Sequence, residues 1–77
     1  MVKLALQENV LGHVKWFDKK KGYGYITAEN GQDYFFHYTN LLKDGFKTTY
    51  PGQKVLFDIT NVHKGVQAIN ILERGDR

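Results

Sequence analysis

Lys15-Trp16-Phe17-Asp18-Lys19-Lys20-Lys21-Gly22-Tyr23-Gly24-Tyr25-Ile26, followed after a turn by Asp33-Tyr34-Phe35-Phe36-His37-Tyr38, is the stretch on which the chain turns. It holds eight of the eleven aromatic residues and four of the nine lysines, and it threads glycines between the rings. Packing a core needs large apolar side chains, but it does not need lysines and glycines among them. Within Tyr23–Ala28, Tyr23 and Tyr25 share one parity and Gly24 and Ile26 the other. Within Asp33–His37, Asp33, Phe35 and His37 share one parity, and Tyr34 and Phe36 the other. Such alternation marks half-buried strands. Asn30-Gly31 between them is a strong hairpin signal.

Working outward, Val10–Phe17 reads as the preceding strand, with Val14 flanked by His13 and Lys15. Trp16 shares the parity of Val14. A regular strand would therefore bury it, and a bulge would turn it outward. Asp18–Lys21 is a charged turn, with Gly22 free to adopt a positive φ. Tyr38–Leu42 suits a short helical turn. Lys43–Gly52 is a long loop ending in Pro51-Gly52. Lys54–Thr60 alternates as a fourth strand, Asn61–Gly65 reads as a turn, and Val66–Leu72 reads as a fifth strand. Met1–Val10 reads as a loose tail. The alternation of Val2, Leu4 and Leu6 leaves open an extra strand that pairs with the barrel or with a second copy. Five short strands with turn signals between them predict an all-β fold, a small barrel.

The chain has 77 residues, the size of one domain. It contains no cysteine, which removes disulfides and cysteine-based zinc sites from the ways so small a domain holds together. Barrel closure is a cysteine-free alternative, because it removes exposed sheet edges. No apolar run approaches the ~20 residues of a membrane span, and the first nine residues do not read as a signal peptide. A soluble cytoplasmic protein is expected. The net charge of +3 favours a polyanionic partner, but the placement of the charge says more than its sum.

On one face of the expected three-strand meander, Tyr23, Tyr25, Phe35 and His37 form a single patch, since neighbouring strands lie ~4.8 Å apart. Trp16 and Phe17 join it if β-strand one bends, and Tyr38 borders it. Unstacked bases offer a π-face to such a patch, worth ~1–3 kcal/mol per base. Lys15, Lys19, Lys20 and Lys21 stand where a phosphate backbone would run. The opposite parity, Ile26, Tyr34 and Phe36, supplies the core. His13, His37 and His63 have no metal-site spacing. There is no serine and no histidine–carboxylate pair, so neither catalysis nor a cofactor is expected. The competing reading is a small protein-interaction barrel that grips a peptide or a second copy through the aromatic face.

These motifs resemble those of the bacterial cold shock proteins, single cold-shock domains of the OB-fold class. Gly12-His13-Val14-Lys15-Trp16-Phe17 matches their opening strand. Lys21-Gly22-Tyr23-Gly24-Tyr25-Ile26 and Tyr34-Phe35-Phe36-His37-Tyr38 match their two RNA-binding motifs. Gly45-Phe46-Lys47-Thr48, Gly52-Gln53 with Val55 and Phe57, and Gly65 with Gln67, Ala68 and Asn70 match later landmarks. The resemblance implies a five-stranded antiparallel OB-fold barrel with a short 3-10 turn after the third strand. It implies an N-terminal extension over residues 1–9, the domain over 10–73 and a tail over 74–77. It further implies stacking by Trp16, Phe17, Tyr23, Tyr25, Phe35, His37, Tyr38 and Phe46, with polar or backbone contacts from Lys15, Lys21, Asp33 and Lys64. The implied partner is single-stranded RNA or DNA, often pyrimidine-rich, bound with low specificity by an RNA chaperone that melts secondary structure and modulates transcription or translation. A monomer is expected, with the N-terminal extension as a route to a dimer. Departures from the family pattern are tyrosine for phenylalanine at 23, 25 and 38, Asp18 for asparagine, Lys64 for arginine, and the bulky Tyr34 and Phe36 for β-branched residues. The two bulky residues require a repacked core.

Overall fold

The structure is a computed structural model and describes residues 6–45, 47–62 and 65–75. Five strands form a closed barrel: β1 (Gln7–Asp18), β2 (Tyr23–Ala28), β3 (Asp33–His37), β4 (Lys54–Val62) and β5 (Gly65–Glu73). A 3-10 turn, Tyr38–Asn40, follows β3. Around the barrel the order is β1-β2-β3-β5-β4. The ladders are antiparallel except at closure, where β3 meets β5 in parallel at Phe35 and Gln67. Among the described residues, no helix is long and apolar enough to cross a membrane.

β2 and β3 have the limits expected from their alternation and from the Asn30-Gly31 turn. Gly31 takes φ +90° there, and the Asn30 side chain accepts from the Gln32 amide. β4 and β5 are longer than expected. Their hairpin continues to Val62 and Gly65, consuming most of the predicted turn. β1 also begins early. The end of the expected loose tail is strand, because Gln7 pairs with Ile59 and the Leu6 amide donates to the Ile59 carbonyl at 2.7 Å. Residues 1–5 lie outside the described part.

One carboxylate holds the early start of β1 in place. Asn9 and Asn70 both adopt positive φ at bulges, one in β1 and one in β5. Asp58 of β4, between those strands, accepts from the Asn9 amide at 3.0 Å and from Asn70 Nδ2 at 2.9 Å. Asparagine is among the few residues that tolerate this conformation.

The core is built from the inward parity of every strand. Val14, Ile26, Phe36, Val55, Phe57 and Ile71 are essentially inaccessible to solvent. Leu41, after the 3-10 turn, plugs one end and bridges to Ile71. Alternation puts Tyr34 in the core beside Phe36, but it is only half-buried. It packs against the cluster near Phe57 while its hydroxyl reaches Gln32 Oε1 at 3.1 Å. A tyrosine near a strand end keeps its polar tip wet in this way. The long loop is tied down by Glu73, which pairs with Lys43 at 2.9 Å and accepts from Thr49 Oγ1 at 3.0 Å.

Candidate nucleic-acid interface

Trp16 decides the shape of this face. The register between β1 and β2 shifts between Val14 and Trp16, so Val14 faces Ile26 and Trp16 faces Tyr25, with Lys15 as the extra residue. This bulge reverses the parity of β1. Val14 is buried, whereas Trp16 is 38% exposed on the outer face. Gly24 makes the bulge possible. A Cβ there would lie 2.1 Å from the Trp16 carbonyl oxygen and 2.9 Å from the Phe17 Cα. An isolated glycine inside a strand commonly marks such an approach of backbone to backbone.

Two rows result across β1, β2 and β3. The outer row is Trp16, Tyr25 and Phe35, and the inner row is Phe17, Gly24 and Phe36. Because Gly24 has no side chain, the rings of Phe17 and Phe36 meet across it, stacked at 5.7 Å with their planes 14° apart. A phenylalanine at 36 is accommodated by the missing side chain at 24.

Trp16 lies 5.9 Å from Tyr23 and 5.4 Å from Tyr25, centroid to centroid. Phe35 lies 5.5 Å from Tyr23 and 5.8 Å from Tyr25. These four rings form a closed circuit of tilted and edge-on contacts, geometries that aromatic pairs favour. Each ring half-shields the next, which is why Tyr23, Tyr25 and Phe35 are half-buried despite facing outward. His37 extends the patch beside Tyr38, at 4.7 Å. The Thr39 amide donates to His37 Nδ1 at 3.4 Å, and the Thr39 hydroxyl lies 3.0 Å from the same nitrogen. An Nδ1 that accepts leaves the neutral ring's proton on Nε2. The Tyr38 ring rests on Gly22, where φ is +78° and a Cβ would meet the ring at 2.6 Å.

Charge frames the rings on two sides. Lys15, displaced by the bulge, pairs with Asp33 at 2.7 Å, and Thr27 Oγ1 donates to the other Asp33 oxygen at 2.7 Å. These two hydrogen bonds, Lys15 first, hold the Asp33 carboxyl below its ordinary pKa. On the other side, Asp18 Oδ1 accepts from the Lys20 and Lys21 amides, and the Asp18 carbonyl accepts from the Gly22 amide. The aspartate thus folds the turn with its side chain, as an asparagine would, and presents Lys19, Lys20 and Lys21 as exposed cations.

Trp16, Tyr23, Tyr25, Phe35, His37 and Tyr38 are therefore brought together on one surface. Phe17 is not, because the strand sends it inward against Phe36. Its remaining surface opens into a separate cleft of about 500 Å³ lined by Lys19, Lys20, Lys21, Tyr38 and Lys47. Phe46 and Lys64 lie outside the described residues. Sequence reasoning missed Lys47 and Thr48 in that cleft, and Val62, Val66 and Gln67, which line a hollow of about 670 Å³ beside Tyr25, Asp33 and Phe35. Val66 is 48% exposed although it shares the parity of the buried Ala68, so alternation alone hid this hollow. Among the described residues, no group of three or more His, Asp or Glu side chains is arranged to hold a metal ion.

Comparison with known proteins agrees with this geometry. Residues 10–73 match the family model described as the 'Cold-shock' DNA-binding domain. The chain is 52% identical over 60 residues to the major cold shock protein of Streptococcus pyogenes serotype M1, covering 78% of this chain and 90% of that one. It is 51% identical over 61 residues to cold shock protein 1 of Lactiplantibacillus plantarum, covering 79% and 92%. It is 47% identical over 62 residues to cold shock protein CspB of Bacillus caldolyticus, covering 80% and 94%.

Proposed function

This chain belongs to the cold-shock domain family of nucleic-acid-binding, non-enzymatic proteins, and from that premise we propose that it binds single-stranded RNA and DNA by base stacking and acts in the cytoplasm as an RNA chaperone. The circuit of four rings, Trp16, Tyr23, Phe35 and Tyr25, carries the reading. It is a π-surface wide enough for successive bases, with His37 and Tyr38 continuing it along β3. Lys15 and the Lys19–Lys21 turn flank the path of the backbone, and Phe17 receives a base or sugar in the lysine-lined cleft. Asp33 and the neighbouring hollow take the edge of a base. Phe46 and Lys64 complete the set by their match to the family motifs.

Magnitudes favour a chaperone over a helix-melting machine. A stacked base contributes ~1–3 kcal/mol, while a duplex step is worth ~1.4 kcal/mol on average. Three or four stacked bases offset a few base pairs, enough to trap transiently opened strands but not to dissolve long helices. The face reads rings more than edges, so low sequence specificity follows, with a preference for pyrimidines taken from the family. The monomer suffices as the binding unit.

Titrating short single strands of each base type at two salt concentrations, with Trp16 fluorescence as the signal, tests the proposal. Quenching by oligo-pyrimidine is expected, with affinity that falls steeply between roughly 50 and roughly 200 mM salt. Unchanged fluorescence with every strand would reject it. Binding that ignores salt would favour a peptide-gripping barrel instead.

A further inference from the structure

The cleft at the Tyr38 end of the ring face is built differently from the face itself. It encloses about 500 Å³ between the lysine turn after β1 and the loop after the 3-10 turn. Lys19, Lys20, Lys21 and Lys47 line it beside the rings of Phe17 and Tyr38, and no carboxylate is among its described lining residues. Asp18, in the lysine turn, directs Oδ1 at the Lys20 and Lys21 amides instead.

The loop wall of the cleft is fixed in place. Lys43 Nζ donates to the Thr48 carbonyl at 2.9 Å and pairs with Glu73 at 2.9 Å. Thr49, only 3% exposed, donates its hydroxyl to Glu73 at 3.0 Å. The backbone on both sides of the Thr48 side chain is thereby anchored. Thr48 lines the cleft, yet its own hydroxyl is buried with no hydrogen-bond partner. Buried polar groups are nearly always paired, so this orphan donor points to an acceptor from outside the chain. A rotation about χ1, from one staggered position to another, redirects the hydroxyl without moving the anchored backbone.

Four cations and a hydroxyl exceed what one internal phosphodiester, with its single charge, can use. A phosphomonoester carries roughly −1.5 to −2 near pH 7 and offers three strong acceptor oxygens. Such a group occurs on a nucleic acid strand only at its end, and the cleft lies where the row of rings ends. We propose that the cleft seats the terminal phosphomonoester of a single strand. The terminal nucleotide lies against Phe17 and Tyr38, and its phosphate lies among the four lysines with Thr48 as a further donor. The site rests on the stacking function proposed above and adds direction to it, because an anchored end fixes which way the strand crosses the rings.

Three short oligo-pyrimidines of one sequence, carrying a 5′-phosphate, a 3′-phosphate or neither, test it. Each is titrated against the full chain at roughly 50 mM salt, with Trp16 fluorescence as the signal. One of the two phosphorylated strands should bind about tenfold more tightly than the unphosphorylated strand, the scale of a charge-assisted hydrogen bond. Lys47→Gln and Thr48→Val should each cut that ratio by at least ~3-fold. Thr48→Val should do so without lowering the midpoint of urea unfolding, since it removes an unpaired polar atom from the folded chain. One affinity for all three strands overturns the proposal and leaves stacking intact. An equal gain from either end, the mark of added charge alone, overturns it too, as does a ratio indifferent to both substitutions. A nucleoside monophosphate that binds as tightly as the phosphorylated strand would assign the cleft to free nucleotides and not to a strand end. Failure of every strand to quench Trp16 would reject the stacking function, and the strand-end site with it.

Discussion

Two outward faces of one barrel can be compared directly. On β2 and β3 the outer positions are Tyr23, Tyr25, Phe35 and His37; on β4 and β5 they are Leu56 and Leu72 between polar neighbours. Both faces alternate with a buried parity, and both place apolar side chains in water. The difference lies in what each can bind. The rings lean on one another, carry π-faces and border exposed lysines, so they suit a flat, anionic, stackable partner. The leucines carry neither a π-face nor a polar handle, so they offer a base nothing to stack on. Alternation alone therefore says which residues face out, and side-chain chemistry says what they face toward.

β1 serves both faces, and its bulge is the join. Gln7–His13 pair with β4, Gly12–Asp18 pair with β2, and parity reverses between Val14 and Trp16. The largest effect should come from breaking that join. Gly24→Ala drives a methyl into the Trp16 carbonyl, which neither backbone can evade without undoing the bulge. A loss of about 3 kcal/mol or more of stability is expected, at the upper end for overpacking. Urea unfolding followed by tryptophan fluorescence measures it. A variant as stable as the parent would mean that the bulge does not depend on the bare glycine.

The second test separates the faces with one substitution on each. Phe35→Ala should weaken binding of a short single strand by ~1–3 kcal/mol with little change in the unfolding curve. Leu72→Ala should leave that affinity alone. Equal weakening by both substitutions, measured by the same titration, would erase the distinction between the faces.

How far the sequence alone could go follows the same line. The limits of β2 and β3 were legible because their alternation is strict and their turn is local. The parity of Trp16 was not, since it depends on a glycine one strand away. Gly24 sat in view as a strand residue, but what it permits is a close approach between strands. The early start of β1 was hidden for the same reason, because Asp58 that supports it lies 49 positions from Asn9. The ring face was visible from parity, whereas the leucine row was not. Leu11, Leu56 and Leu72 are scattered along the chain, and only the registers of β1, β4 and β5 align them.

A third, smaller effect concerns charge. Replacing Lys19, Lys20 and Lys21 with glutamine should flatten the dependence of log affinity on log salt by ~0.7 for each phosphate that is no longer neutralised. Arg74→Gln, on the far face, should leave the slope unchanged. Titrations at three or more salt concentrations give both slopes. An equal change from Arg74 would place the phosphate path on the wrong side of the barrel.

The smallest effect is at the rim of the ring face, where Lys15 and Thr27 hold Asp33 in its charged form. Because the folded pKa is depressed below the ordinary 3.8, the linked stabilisation is fully present above that pH and is lost as pH falls through the lowered value. The pair is exposed and solvent-screened, so its contribution to stability is slight. The titration of the group itself is the informative measurement. Following the Asp33 carboxyl carbon by NMR should give a midpoint below 3.8, and Lys15→Ala should move it upward, since Lys15 is the leading cause of the depression. Saturating single strand should also move it upward if a phosphate draws Lys15 away, because the carboxylate then loses its cation. A midpoint that stays put under both changes would detach Lys15 from Asp33, and with it the role of the bulge in aiming that lysine along the edge of the rings.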